Sequence, residues 1–522
     1  MSALVDPGVD ETKSTIDPHH PLAGDDDASA TVDLQHPFYA EQTEEAKDAK
    51  QPPPEAGPAA HKDAKPPPPE AGPVTLARLG ELLRRALDDD EYHIFGGGGL
   101  HEPPVALFYD LDAWETQLRA CVGAFGPTFE HAIACKSNPL ALMLRRAAEL
   151  GFGVECASAT EAAHAVEACG VAPGRVVFDS PCKTRVELAY ALETGLHCNL
   201  DNLDELDRAT EIVARMGRPP SGRVGVRVNP RVGAGTIAAL SVSTSASKFG
   251  VDIGDATQRA DLLAKFAARP WLTSVHVHVG SGGMGLGQLV AGVAAAVAFA
   301  NDARKTNAVA CVDIGGGLPV DYGSDAAPDF GGYAALLRDA TPELFDGTYA
   351  VVTEFGASLN AKSGFLASRI EWLKDQPTRR LAIVHFGADL CLRQAYTADH
   401  GRRWAAFDAA GRAFPHDAPL ADAAVGGPLC FQGDILADDL KLPAALRAGD
   451  FVVMRDAGAN SLSLFSRHCS RVAPPVYGFR TVARRDDDAV PHIDDRDPLE
   501  LVPLKPRERR EDVSAFWGAH AW

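Results

Sequence analysis

The sequence predicts an α/β protein: a (β/α)8 TIM-type barrel followed by a mostly β domain, with a disordered tail in front. The first observation is an alternation. From Ala106 onward, short β-branched runs alternate with amphipathic, Ala/Leu/Arg-rich stretches. The second is a count, since the runs readable as strands end near Cys135, Cys156, Asp179, Leu200, Val228, His278, Asp313 and Thr353. Alternation of this kind argues a parallel sheet, and eight units close a barrel. A doubly wound open sheet is the runner-up, because it does not normally use eight units so evenly spaced. The third observation is a change of texture past about Pro377, where hairpin-like runs are separated by Gly, Pro and Asp.

Residues 1–74 read as the tail. Residues 1–73 hold 15 acidic residues and 5 Lys, so −10 of the chain's −21 sits there. Lys47–Pro58 (KDAKQPPPEAGP) and Lys62–Pro73 (KDAKPPPPEAGP) form an imperfect tandem duplication. Pro-rich, acidic text with few aromatics cannot bury enough apolar surface to offset its ordering entropy, so a solvated polyproline-type extension is expected. Residues 75–111 form a lead-in whose strand Val105–Asp110 is expected to pair with the β domain. Residues 112–372 are the barrel. Its helices are expected at Pro139–Leu150, Ala159–Ala168, Arg185–Thr194 and Leu203–Met216, the last behind the capping residues Asp201 and Asn202. Residues 373–522 are the β domain, with runs at Leu381–Phe386, Trp404–Asp408 and Asp450–Met454.

With 522 residues the chain has room for two or three domains. Its net charge of −21 argues against a nucleic-acid or anionic-membrane partner. No apolar run in the sequence approaches the ~18 residues of a membrane helix, and the N-terminus lacks signal-peptide or transit-peptide character. Ten Cys without CxxC pairing fit free thiols in a reducing compartment, so the cytoplasm is the expected location.

Barrel chemistry lies at the C-terminal ends of the strands. Strand one ends in Ala134-Cys135-Lys136-Ser137-Asn138-Pro139. A Lys there can have its pKa lowered by desolvation, which suits Schiff-base formation, although most such Lys are surface residues. Strand two ends in Glu155-Cys156-Ala157-Ser158 and strand eight in Thr353-Glu354-Phe355-Gly356. Strand six carries His276 and His278, then Ser281. Strand seven runs into Gly315-Gly316-Gly317, which is either a plain turn or a backbone cradle for phosphate at a following helix N-terminus. The two His on one side of a strand raise a metal site, but no later strand end supplies another His, so no metal is expected. An amine for a Schiff base, glycines for a phosphate, a flat imidazole and a carboxylate for a ring nitrogen together match pyridoxal 5'-phosphate. The carboxylate keeps the ring a strong electron sink and favours decarboxylation, where an Arg would suit a racemase.

Over about residues 103–470 the chain resembles the fold-III, pyridoxal-phosphate-dependent decarboxylases of ornithine, diaminopimelate and arginine. The likeness is carried, in order, by ALFYDLD, AIACKSNP, VECASATE, FDSPCKT, VRVNP, SKFG, HVHVGSG, DIGGGLPVDY, GPLCFQGDILA and DAGA. It implies an alanine racemase-like barrel in which Lys136 carries the cofactor as an aldimine and Glu155 lies near that bond. His278 would stack on the ring, Ser281 and Gly315–Gly317 would bind phosphate, and Glu354 would meet the pyridine nitrogen. Cys430 would reach across a homodimer interface into the partner's site and protonate the quinonoid carbon. GPLCFQGDILA and DAGA lie closest to the diaminopimelate branch, which implies conversion of meso-diaminopimelate, or a related diamino acid, to an amine such as L-lysine.

Three departures stand out. Ala357 replaces a phosphate-binding Arg, Asn460 replaces a Tyr, and Phe431 follows Cys430 where an acidic residue is usual. Arg393, Lys183 and Arg467 are the basic candidates to replace the missing Arg. Arg393 and Tyr396 resemble a stretch that grips a distal carboxylate, with the Arg one place out of register, and Phe431 implies an altered distal pocket. A cofactor-deficient binding protein and a racemase stay open as alternatives.

Overall fold

The computed structural model describes residues 74–89, 91–95, 102–236, 241–396, 401–482 and 499–519. Except for Val74, the expected tail lies outside the described residues, as does the side chain of Tyr396.

The barrel is closed. Phe129–Ala134, Gly153–Cys156, Val176–Phe178, His197–Leu200, Val224–Asn229, Ser274–His276, Cys311–Asp313 and Ala350–Phe355 (barrel strands one to eight) are all paired in parallel, and strand eight pairs with strand one. Each ends within two residues of its expected place. Helices begin where the polar caps dictate. Thr184 and Glu187 exchange bonds of 3.2 and 2.7 Å to open Arg185–Thr194, and Asn202 accepts from the Glu205 N–H at 2.9 Å to open Leu203–Met216. Such side chains satisfy the donors that a first helical turn leaves unpaired.

Alternation splits the strand residues between two faces, one joining the main core under the helices and the other including a separate apolar cluster of Ala132, Val177, Cys311 and Val352. Val154, Phe178, Val275 and Val312 join the main core. Asn199 on strand four donates to Asp313 on strand seven at 3.0 Å, and because those strands are not neighbours the bond crosses the interior. The register places His276 beside both Arg227 and Asp313. The barrel mouth is therefore lined by ionisable groups.

The short strand Val251–Asp252 pairs in parallel with barrel strand five, and the other strands form two sheets. In the six-stranded one, Val105–Asp110 lies between Gly364–Arg369 (antiparallel) and Val476–Thr481 (parallel), so the lead-in strand does join the β sheet. Phe108 stacks on Phe365 and Phe479 at 5.2 and 5.5 Å. The helix Leu76–Leu87, not foreseen from sequence, covers this aromatic face with Leu79, Leu82, Leu83 and Ala86. The strand Gly364–Arg369 precedes the boundary expected at residue 373 and yet belongs to this sheet. No break in its apolar run marks the departure from the barrel. The four-stranded sheet holds Trp372–Asp375, Arg380–Ile383, Leu420–Gly426 and Ile435–Pro443.

One expectation is corrected. Helix Leu286–Ala303 has the 18-residue length and the mean hydropathy, 1.4, of a candidate membrane span. Its Leu289, Val293, Ala296, Val297, Phe299 and Ala300 are instead buried in the main core, which accounts for its apolar character. All ten Cys are free thiols, seven of them buried.

Candidate active site

Lys136 stands in a single tight turn, Cys135–Ser137, directly after barrel strand one. Hydrogen bonds fix that turn from three sides. Ser137 Oγ donates to the Ala134 carbonyl at 2.7 Å, Asn360 Nδ2 donates to Ser137 Oγ at 3.0 Å, and the Asn460 N–H donates to the Ser137 carbonyl at 2.9 Å. The Lys136 side chain keeps 43% of its surface open to the mouth, and its Nζ lies against the Glu155 carboxylate.

The charge around this amine corrects one expectation. Burial pulls the Lys136 ammonium down, but the carboxylates of Glu155, Asp179 and Glu354 more than reverse it, so its pKa stands above the ordinary lysine value. An acidic mouth, rather than an apolar one, surrounds the lysine. Burial, with Asp179 and Glu354, pushes the Glu155 carboxyl well up against the pull of Lys136. Asp313, fully buried below, is likewise raised, by burial and then by Glu354.

Glu354 goes the opposite way. Burial alone would raise it, but His276 and His278 overturn that and hold it well below the carboxylate range. Its Oε2 lies 3.6 Å from His276 Nε2 and 3.5 Å from His278 Nδ1. Both carboxylate oxygens and both His276 nitrogens are buried without a hydrogen-bond partner. The three ligand atoms lie within 4.8 Å of one another, a spacing that a cation or a protonated ring nitrogen could use. His278, whose own pKa burial lowers, is held at its edges: Gly316 N–H reaches its Nδ1 at 3.3 Å and Ser281 Oγ its Nε2 at 3.4 Å.

The glycine run has a packing reason. A Cβ on Gly315, Gly316 or Gly317 would meet the carbonyl oxygens of Val277, Glu354 and Gly280 at 2.5, 2.2 and 2.0 Å. Gly315 and Gly317 also stand at φ +65° and +93°, where side chains are strained. No helix follows directly, since the next one is Phe330–Ala340, so the helix N-terminus expected behind the glycines is absent, and the Gly315 and Gly316 N–H groups are directed to Asp313 Oδ1 at 3.0 Å and His278 Nδ1 at 3.3 Å.

Lys136, Glu155, His278, Ser281, Gly315–Gly317, Glu354 and Asn460 thus gather around the mouth. Cys430 and Phe431 sit on a β-domain loop, Cys430 exposed and the Phe431 ring 6.2 Å from His468. Asp434 shapes that loop by accepting from Leu429 and Ala388 N–H groups, each at 2.7 Å. Arg393 is half-buried on the short helix Leu392–Tyr396, which packs on Ile435–Pro443. Two candidates for the missing Arg are already engaged: Lys183 is buried against Glu205 at 3.2 Å, and Arg467 pairs with Glu508 at 2.5 Å. Ala357 simply begins the short helix Ala357–Asn360. Sequence reasoning missed Asp179 and Asp313 as members of the group. Asp179 directly follows strand three, at the same end of the barrel as Glu155 on strand two, so the strand-end rule applied evenly would have found it.

Known proteins resemble this chain in sequence and in fold. Residues 111–361 match the family described as pyridoxal-dependent decarboxylase, pyridoxal binding domain. The diaminopimelate decarboxylase of Pseudomonas aeruginosa is 32% identical over 363 residues, 68% of this chain and 83% of that protein. That of Zymomonas mobilis is 29% identical over 345 residues, 65% and 78% of the two chains. Among solved structures, diaminopimelate decarboxylase from Helicobacter pylori complexed with L-lysine matches with a TM-score of 0.67 at 24% identity, covering 80% of this chain and 97% of that one. The arginine decarboxylase of Paramecium bursaria Chlorella virus, bound to agmatine, matches at 0.60 and 18%, covering 72% and 96%. At such identities the two structures bear on the fold alone.

Proposed function

The chain belongs to the pyridoxal-dependent decarboxylases, in the group of the diaminopimelate decarboxylases, and on that premise we propose that it converts meso-diaminopimelate, or a closely related diamino acid, to L-lysine or the matching amine. It is a carboxy-lyase with pyridoxal phosphate as cofactor.

The residues present fit that group. Glu354 offers two buried oxygens with no partner, held anionic by two imidazoles, as a protonated pyridine nitrogen requires. This is the observation that carries the reading. The glycine run brings backbone close without side chains, and Lys136 supplies a primary amine. Pyridoxal phosphate, when bound, supplies an electron-withdrawing ring for the electron pair left as carbon dioxide departs.

The chain's own residues do the rest. Lys136 Nζ is the attachment point, and Glu155 holds a proton beside it. His278 would hold the cofactor ring, and Ser281 and Gly316 steady the imidazole at its edges. Ser281, the backbone of the glycine run and Asn460 would hold the phosphate. Arg393, with Tyr396 three residues on and Phe431 from the β-domain loop that carries Cys430, lines the distal end of the substrate, and the guanidinium suits a carboxylate. Cys430, exposed in one copy, returns the proton to the α-carbon in the site of a second copy, so the working unit is a cytoplasmic homodimer.

The test is the visible spectrum of the purified protein with pyridoxal phosphate. A band near about 420 nm that borohydride bleaches and Lys136→Ala lacks is the signature of the lysine attachment. Release of carbon dioxide from meso-diaminopimelate, compared with ornithine and arginine, then reads the substrate. No band at saturating cofactor, or no release from any diamino acid, would sink the reading.

A further inference from the structure

The glycine run leads into a segment that the barrel's own backbone does not hold. Residues 318–327 lie outside every helix and strand, and among the described residues no backbone–backbone hydrogen bond reaches them. Cations hold the segment instead. Lys362, on the turn Ala361–Ser363, donates to the Ser324 carbonyl at 2.8 Å and also to that of Asp321. The Arg402 guanidinium lies 3.8 Å from the centre of the Tyr322 ring. Arg403 and Arg455 both pair with Asp325, each at 2.5 Å.

Asp456 stands among these cations. Its side chain is 3% exposed, with Oδ2 at 3.3 Å from Lys362 Nζ and 3.1 Å from Arg403 Nη2. Its backbone carbonyl accepts from Arg402. Asp456 holds a left-handed φ of +57°, a conformation that a non-glycine residue keeps only where its surroundings fix it. The loop runs on to Asn460, whose N–H reaches the Ser137 carbonyl. In between, Ala457 and Gly458 donate to the carbonyls of Gly364 and Ala361 at 2.8 and 3.1 Å, so the loop is tied along its length. One fixed loop therefore touches two parts of the mouth: the segment leaving the glycine run, and the turn that carries Lys136. Removing the Asp456 charge would leave Lys362 and Arg403 without their shared buried counter-charge. The segment they hold would then open.

We propose that Asp456 is a positioning residue of the cofactor site: its carboxylate, gripped by Lys362 and Arg403, keeps residues 318–325 closed and thereby fixes the glycine run that leads into them. The inference deepens the function proposed above, since it rests on the glycine run as the phosphate cradle.

Native-state proteolysis reads the segment, and a titration reads the cofactor. The full-length protein is digested with chymotrypsin at one fixed concentration of pyridoxal phosphate, and mass spectrometry follows cleavage after Tyr322. Cleavage after Tyr333, buried in helix Phe330–Ala340, reports opening of the whole fold. Asp456→Asn removes the charge and keeps a side chain at home in the left-handed region. Breaking a buried ion pair is expected to raise cleavage after Tyr322 about a hundredfold, with cleavage after Tyr333 within about threefold of the wild type. The dissociation constant for pyridoxal phosphate is expected to rise about tenfold, in proportion to the fraction of protein left closed. Unchanged cleavage after Tyr322, or an equal rise after Tyr333, overturns the proposal. Faster cleavage with an unmoved dissociation constant overturns it too, because the segment then has no hold on the cofactor. Should Asp456→Asn fail to fold, Arg403→Gln, which leaves Lys362 on Asp456, carries the same comparison. A wild type that binds no pyridoxal phosphate would sink the proposed function, while the cleavage comparison would still decide whether Asp456 closes the segment.

Discussion

The backbone N–H of Asn460 donates to the carbonyl oxygen of Ser137 at 2.9 Å, which ties a β-domain loop to the residue next to Lys136. Asn460 makes this bond at φ +54°, in the left-handed region where Gly and Asn are at home. Asn460→Gly should keep the bond and the stability. Asn460→Val forces a branched side chain into that region and should cost about 1–2 kcal/mol, read by urea denaturation, with weaker cofactor binding as the Lys136 turn loosens. A valine variant as stable as the glycine one would refute the tie.

Lys183 and Glu205 form a buried pair at 3.2 Å, with Lys183 also donating to the Ser180 and Asn199 carbonyls at 2.7 and 2.8 Å. Lys183→Met leaves a buried carboxylate uncompensated and should cost about 3–5 kcal/mol. Because the lysine is already engaged, the dissociation constant for pyridoxal phosphate in the folded variant should not move. A large loss of cofactor affinity with stability intact would make Lys183 a phosphate ligand after all.

Acid should destabilise the barrel through two histidines. Burial pushes His131 down to about 4 and His197 to about 3, and each has an Nε2 without a partner. Both rings fold neutral, below their unfolded value. Their stabilising contribution is therefore whole above about pH 6.5 and is lost as pH falls toward the folded values. At pH 5 each should have given up about 2 kcal/mol. His197→Gln should narrow the difference between denaturation at pH 7.5 and pH 5 by that amount. Equal wild-type stability at both pH values is the result that rules this out.

Arg393→Ala should raise KM for diaminopimelate at least about tenfold with kcat within about threefold, the pattern of lost uniform binding. The same variant should treat a substrate without a distal carboxylate as the wild type does. Steady-state kinetics on both substrates decide it, and an unchanged KM removes Arg393 from the site.

Lys136→Ala and Cys430→Ala should each be nearly inactive alone. If each site draws on two copies, mixing the variants restores one intact site per mixed dimer, about a quarter of all sites at statistical exchange. No recovery after exchange, verified by native mass spectrometry, would place both residues in one chain's own site.

Much of this was legible before any fold was known, because strand and helix periods are local. The eight strand ends could be read from β-branched runs, and Lys136, Glu155 and Glu354 stood out because strand ends are where a barrel exposes its chemistry. Thr184 and Asn202 mark their helix starts for the same local reason. Three features had no local signature. Strand Gly364–Arg369 left the barrel for the β sheet without a break in its apolar run. Helix Leu286–Ala303 was apolar because the barrel covers it. Lys183 looked available until Glu205 was seen to hold it.

The amino-acid order alone was enough to read the barrel and to single out the lysine and the glycines, since each reading depends on neighbours a few residues away. Only closure of the barrel decided the electrostatics. It brought Glu155, Asp179 and Glu354 from three strands around one amine, and Asn199 within 3.0 Å of Asp313. Charges act across space rather than along the chain, so Lys136 proved more firmly protonated than an apolar strand end would have made it.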